Sequence, residues 1–176
     1  MRTRITAVFF AVLFVVGTAF AGDNANKGEK KAYNSVMYWL QELDPGIATT
    51  SGKMEHVRDA RYFWFEESSD ARVSGYAVSI FNGNLNTNGT GPIWGEYFST
   101  DEYGVPTTDG WRCLWQGKMY DYSAGKFNWL AKSVCHGTGM YDGMRLENTQ
   151  AFDTNYLDLS LYPFKGYAVG EISGDE

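Results

Sequence analysis

Asp109-Gly110-Trp111-Arg112-Cys113-Leu114-Trp115-Gln116-Gly117-Lys118-Met119-Tyr120-Asp121-Tyr122 leads into Ser123-Ala124-Gly125, and Lys126-Phe127-Asn128-Trp129-Leu130-Ala131-Lys132-Ser133-Val134-Cys135-His136-Gly137 follows. Small turn residues separate two runs rich in aromatic and branched side chains, the signature of a β-hairpin. With Ala124 at the centre of the turn, facing residues have numbers that sum to 248. Cys113 then opposes Cys135, Trp115 opposes Ser133, Gly117 opposes Ala131, Met119 opposes Trp129 and Asp121 opposes Phe127. Alternate residues of a strand share a face, so Trp111, Trp115, Met119, Phe127 and Trp129 stand with the cysteines. Arg112, Gln116, Lys118, Asn128 and Lys132 stand on the other face, beside Leu114, Leu130 and Val134. The first face turns inward.

The cysteines Cys113 and Cys135 are the only two in the chain. Opposed residues of a non-hydrogen-bonded antiparallel pair have Cα atoms about 4.5 Å apart, near the lower limit for a disulfide. A structural disulfide is therefore expected if the chain passes through an oxidising compartment. The N-terminus points to such a route. Met1-Arg2-Thr3-Arg4 is basic, Ile5–Val16 is apolar apart from Thr6, and Ala19-Phe20-Ala21 ends the segment. That order is a secretory signal peptide cleaved after Ala21, and a spanning helix would need about 20 apolar residues. Export to the periplasm or the extracellular space is the expected localisation.

The chain has 176 residues with a net charge of −6; without Arg2 and Arg4 the 155 residues from Gly22 onward carry −8. This length suits one domain. The charge repels phosphate backbones and no basic stripe is present, so nucleic acid is not an expected partner. No later apolar run approaches spanning length, so no stable membrane insertion is expected once the signal is removed.

Residues 22–54 read as a flexible leader followed by one short amphipathic helix. Within Lys30–Leu43, Tyr33, Val36, Met37, Leu40 and Leu43 fall on one helical face, and Asp44-Pro45-Gly46 supplies a stop. From there to residue 172 the texture is that of strands, near 55–66, 70–81, 92–100, 109–121, 127–136, 145–153 and 166–172, with a further one at 156–162. The fold class is all-β, an antiparallel barrel of about eight strands with 55–172 as its domain. Residues 173–176 read as a disordered tail.

Three stretches carry a resemblance: Ser69-Asp70-Ala71-Arg72-Val73-Ser74-Gly75, Gly110–Gly117, and Gly137-Thr138-Gly139-Met140-Tyr141-Asp142-Gly143-Met144. Their order resembles secreted bacterial β-barrel proteins of the allene oxide cyclase and dirigent style, most of them uncharacterised. In that group a G-x-G-x-Y-x-G segment links late strands of an eight-stranded antiparallel barrel. The resemblance implies that fold over roughly residues 55–153. Gly137, Gly139 and Gly143 allow positive φ or close backbone approach, and Tyr141 can plug the barrel end. Arg145 and Leu146 stand where the group often has a further glycine, and no cyclase catalytic residue can be placed. The resemblance carries a fold and no activity.

Catalytic motifs are sparse. There is no Gly-x-Ser-x-Gly elbow, H-E-x-x-H pair or Walker loop, and no cofactor is implied. His56 and His136 read as ordinary strand residues, and with Cys135 they make no zinc set. Asn84, Asn86, Asn88 and Gly89 imitate a calcium loop, but no carboxylate occupies it; a long hairpin loop over Asn82–Gly91 is the expectation, and no metal. Asn88-Gly89-Thr90 is also a glycosylation sequon. Glu66, Glu67 and Asp70 read as a solvated turn, with Glu66 and Glu67 pointing to opposite faces. Glu96 is the weak candidate for a catalytic acid or base: between Trp94 and Phe98 it would be desolvated if that face turned inward, and a plain surface charge if outward.

The leading reading is an exported barrel that binds a small, partly apolar or aromatic molecule in an aromatic-lined interior, with Trp111, Trp115, Met119, Phe127 and Trp129 as the candidate lining. The alternatives are a cyclase or isomerase using the same cavity, and a structural or surface-interaction module.

Overall fold

The computed structural model describes residues 29–123, 126–152 and 165–174; the side chains of residues 121–127 lie outside the description. Nine strands are present: β1 (Lys31–Asp44), β2 (Ile47–Ser51), β3 (Met54–Ser68), β4 (Gly75–Asn86), β5 (Gly91–Thr100), β6 (Gly110–Ser123), β7 (Lys126–Thr138), β8 (Arg145–Phe152) and β9 (Lys165–Ser173). They follow the order β1-β9-β8-β7-β6-β5-β4-β3, and β1 pairs again with β3, closing an eight-stranded antiparallel barrel. Closure removes the sheet edges that would otherwise template aggregation. β2 pairs only with β3 and lies outside the closed ring. No helix among the described residues is long and apolar enough to cross a membrane.

The segment expected to be a helix over Lys30–Leu43 is instead strand β1, paired with β9 through Lys31–Tyr38 and with β3 through Ser35–Asp44. Tyr33 and Met37 are buried at period two, with Ser35 between them. The opposite face is apolar as well, where Val36 and Leu40 alternate with Tyr38, whose ring stacks on Phe65 at 6.4 Å. With both faces apolar, the alternation is hidden and residues from the two sides mimic a helical stripe. The two neighbours that make this segment a strand are about 30 and 130 positions away in the sequence.

β1 and β2 run on as successive partners of β3, broken at Pro45-Gly46. Gly46 has φ +70°, and a Cβ there would lie 2.2 Å from the Arg58 carbonyl oxygen, so only glycine fits the bend. Residues 31–51, assigned from the sequence to leader and helix, thus belong to the sheet.

Other boundaries move for local reasons. The strand expected at 70–81 begins at Gly75, because Asp70–Val73 form a turn closed by the Val73 N–H on the Asp70 carbonyl. The expected loop Asn82–Gly91 is mostly strand; β4 runs to Asn86 and only residues 87–90 connect it to β5. Asn86 holds that turn by accepting from the Asn88 and Thr90 N–H groups. Ser173 ends β9 rather than starting a tail. The signal peptide, the strand considered at 156–162 and the last two residues lie outside the described residues.

The decisive hairpin has the expected register from Cys113↔Cys135 through Trp115↔Ser133 and Gly117↔Ala131 to Met119↔Trp129. A bulge then intervenes, and Asp121 faces Asn128 instead of Phe127, which faces Tyr122. Cys113 and Cys135 form a disulfide with Cα atoms 3.9 Å apart. Leu114 and Leu130 are exposed on the outer face while Trp111, Trp115, Met119 and Trp129 are buried.

Candidate functional site

The inward residues sort into three levels along the barrel axis. At the end near the Ser123–Lys126 turn, Phe81, Trp115, Trp129 and Phe152 pack with Trp64, Met119 and Ile93. Their rings meet at 4.7 Å for Trp129–Phe152 and 5.2 Å for Trp115–Trp129. Two of these rings lie over glycines on neighbouring strands. A Cβ on Gly95 would sit 2.7 Å from the Trp115 ring, and one on Gly166 would sit 2.3 Å from the Phe152 ring. Large-against-glycine complementarity is how a small barrel fills its interior. This end is solid.

At the opposite end, Trp111, Leu146, Met144, Ile172 and Val73 surround the disulfide. The 3-10 turn Gly139–Tyr141 carries Tyr141 over the opening, where its ring stacks on Trp111 with centroids 5.6 Å apart. The Trp111 indole N–H donates to the Arg72 carbonyl at 2.7 Å. Gly137 permits the turn to fold back, since a Cβ there would collide with the Tyr141 carbonyl, and Gly139 and Gly143 have φ of +61° and +84°. The glycine-and-tyrosine plug read from the sequence is in place.

Between the two apolar levels lies a buried polar belt. Glu66 on β3 is 4% exposed and faces inward from the same strand side as Trp64. The Ser35 hydroxyl donates to its Oε1 at 2.5 Å and the Tyr97 hydroxyl to its Oε2 at 2.8 Å. Burial pushes the Glu66 carboxyl above the usual carboxylate range, partly opposed by these two hydrogen bonds. Tyr97 is in turn raised well above an ordinary phenol by burial and by the neighbouring Glu66 charge. Across the belt, Ser133 donates to Asn148, whose amide donates to the Tyr33 hydroxyl at 2.8 Å; burial raises Tyr33. Gln150, 6% exposed, also points inward, and among the described residues its amide has no hydrogen-bond partner.

A cavity of about 170 Å³ spans the belt and the apolar level beneath Tyr141. Its lining mixes polar side chains, Glu66, Tyr97, Asn148 and Gln150, with apolar ones, Trp111, Leu146 and the disulfide. It reaches the loops carrying Ser74, Thr107 and Asp109.

The sequence-level candidates fall in different places. Trp111 borders the cavity. Trp115, Met119 and Trp129 belong to the solid end and do not line it, and the Phe127 side chain lies outside the described residues. Glu96 is exposed on the outer face, between Ile80 and Leu114 on the neighbouring strands. His136 is exposed, and His56 bonds to Asn84 at 2.8 Å. Among the described residues no three metal-ligating side chains converge.

The solvated-turn reading of Glu66, Glu67 and Asp70 is overturned for two of the three. Glu66 is inside the barrel, while Asp70 is 4% exposed and held by Arg72 at 2.8 Å and Lys31 at 3.0 Å. The Arg72 guanidinium, with help from Lys31, keeps the Asp70 carboxyl far below its ordinary value. Glu67 alone is exposed, and Glu66 and Glu67 do take opposite faces. The belt was detectable in principle: on β8, Leu146, Asn148, Gln150 and Phe152 share one parity, with two amides interrupting an inward apolar row. Comparison with known proteins finds no matching family model, no matching curated protein and no matching solved structure.

Proposed function

We propose that this protein is an exported barrel that binds a small, partly apolar molecule in its interior, beneath Trp111 and Tyr141. The carrying observation is the cavity of about 170 Å³ whose lining combines buried polar groups with apolar side chains. An engineered apolar cavity of about 150 Å³ admits benzene, so a single ring with a short polar substituent fits the volume. Such mixed lining is what small-molecule sites use: apolar surface for affinity and a few placed polar groups for orientation. The signal-like N-terminus and the disulfide support export. Charged and polar groups on the outer faces of β6 and β7, among them Arg112, Gln116, Lys118 and Lys132, support an aqueous rather than lipid surround.

The test is titration calorimetry with benzyl alcohol, on the wild type and on Leu146→Phe, which adds bulk to the apolar lining. Binding by the wild type, and its loss in a variant with unchanged far-ultraviolet circular dichroism, is the expected result. Absence of binding to the wild type refutes the reading.

One observation favours a second reading, an enzyme of the isomerase or cyclase kind in the same cavity. Glu66 is a buried carboxyl bonded to a phenol, an arrangement suited to moving a proton on a bound ligand. Turnover of an unsaturated carbonyl probe that disappears in Glu66→Gln would establish it; binding without turnover leaves the carrier reading.

A further inference from the structure

Glu66 is a buried acid whose hydrogen-bond partners are all neutral. Its two oxygens accept from Ser35 on β1 and Tyr97 on β5. Arg72, which also lines the cavity, is bound to Asp70, as is Lys31. Gln150, also buried and lining the cavity, brings an amide with no partner among the described residues. Trp111 and the aliphatic Leu146 line the same cavity.

A carboxylate in low dielectric without a counter-charge is costly, and the missing element is a cation that arrives with the ligand. Building on the cavity reading above, we infer that the ligand is a small primary amine with an apolar ring or chain, its ammonium on Glu66 and Gln150 and its apolar part between Trp111 and Leu146. The ammonium supplies three donors: one for each remaining carboxylate lone pair within reach and one for the Gln150 carbonyl. The overall charge of −6 in the full sequence favours cation entry.

The inference carries a pH signature. Burial raises the Glu66 carboxyl and so favours its protonated form, whereas a bound ammonium favours the ionised form, so amine binding is linked to loss of a proton from Glu66. Amine affinity therefore rises with pH until Glu66 is ionised without ligand, and falls again only when the amine itself loses its charge. The other titratable groups facing Glu66 are Tyr33 from β1 and Tyr97 from β5, both raised and neutral through this range. From the β3–β4 turn come Arg72 and Asp70, which stay charged as a pair.

The experiment compares benzylamine with benzyl alcohol, its neutral counterpart of nearly equal size, by calorimetry between about pH 5 and about pH 8. Benzylamine is expected to bind more tightly than the alcohol at the upper pH, with affinity climbing by up to about tenfold per pH unit below the Glu66 transition. The alcohol should show no such slope. In Glu66→Gln the amine is expected to lose at least about tenfold in affinity while the alcohol keeps its own, which also shows that the variant is folded. Equal affinity for the two probes, a flat amine profile, or an unaffected Glu66→Gln overturns the amine inference and leaves the cavity reading standing. If neither probe binds, both readings fall.

Discussion

Glu66 and Glu67 are consecutive residues that stand on opposite sides of the barrel wall. Glu66 is 4% exposed and accepts from Ser35 and Tyr97 inside; Glu67 is exposed outside and accepts from Tyr38 at 3.2 Å. Strand geometry imposes the opposition, and closure of the barrel turns it into a difference in chemistry. The same carboxyl is solvated on one side and, on the other, buried among neutral hydrogen-bond donors with its proton affinity raised.

Glu66 and Asp70 give opposite pH dependences of stability. The Glu66 carboxyl is raised in the fold, so the folded state holds its proton more tightly than the unfolded chain. Its stabilising contribution is complete below about pH 4.3, the unfolded value, and is lost as pH rises through the raised folded value. Glu66→Gln should therefore raise the melting temperature at about pH 8 and leave it nearly unchanged at about pH 4. A benefit that is equal at both pH values would contradict the assignment.

Asp70 is lowered by Arg72 and Lys31, so its contribution is present above the unfolded value of about 3.9 and fades as pH falls towards the folded one. Asp70→Asn should cost about 2 kcal/mol at neutral pH, the scale of a hydrogen-bonded charged group. The deficit should shrink in strong acid. Urea unfolding at several pH values reads both.

The Cys113–Cys135 bond links strands that are already adjacent, and both residues are buried, Cys135 at 1% exposure. Loop closure over 22 positions corresponds to about 3 kcal/mol in the chain-entropy model. Cys113→Ala with Cys135→Ala should lower the melting temperature accordingly. A thiol-specific alkylating reagent added after reductant should label the native protein slowly and the urea-unfolded protein at once. A melting temperature insensitive to the double substitution would show that the bond does not staple the fold.

Gly95→Ala should be among the most damaging small substitutions. The added methyl would lie 1.7 Å from the Ile80 carbonyl oxygen and 2.7 Å from the Trp115 ring, and overpacking of this kind costs about 3 kcal/mol. Loss of near-ultraviolet circular dichroism from the displaced indole, with the barrel still formed, is the expected spectroscopic mark. A variant as stable as wild type would refute the packing described for the solid end.

Fluorescence separates the two aromatic levels. Trp111 borders the cavity and Trp115 does not, so a bound amine should alter emission through Trp111. Trp111→Phe should abolish the ligand-dependent change. Trp115→Ala should lose about 4 kcal/mol of stability and keep the change. The reverse outcome would move the ligand to the turn end.

How much of this was readable from residues alone follows the range of the interactions involved. The β6–β7 register and its cysteine pair depend on a short turn and on parity, both local, and they hold up to the bulge after Met119. The glycines around Tyr141 were equally legible, because a missing Cβ has a local meaning. β1 was not, since Tyr33, Val36, Met37 and Leu40 satisfy a helical stripe until β3 and β9 are brought alongside. Glu66 escaped for a related reason: parity says that it and Glu67 differ, but not which of them is enclosed.

By itself, then, the order of amino acids determined the all-β character and the hairpin with its disulfide, both of which rest on contacts or conformations within a few tens of residues. Only the tertiary structure decided that the first strand closes the ring, that the indoles of Trp115 and Trp129 make a solid plug, and that an acid, a phenol and two amides share the remaining space. Those outcomes depend on which strands meet around a closed circle, and the free energy of burying Glu66 exists only once the circle is complete.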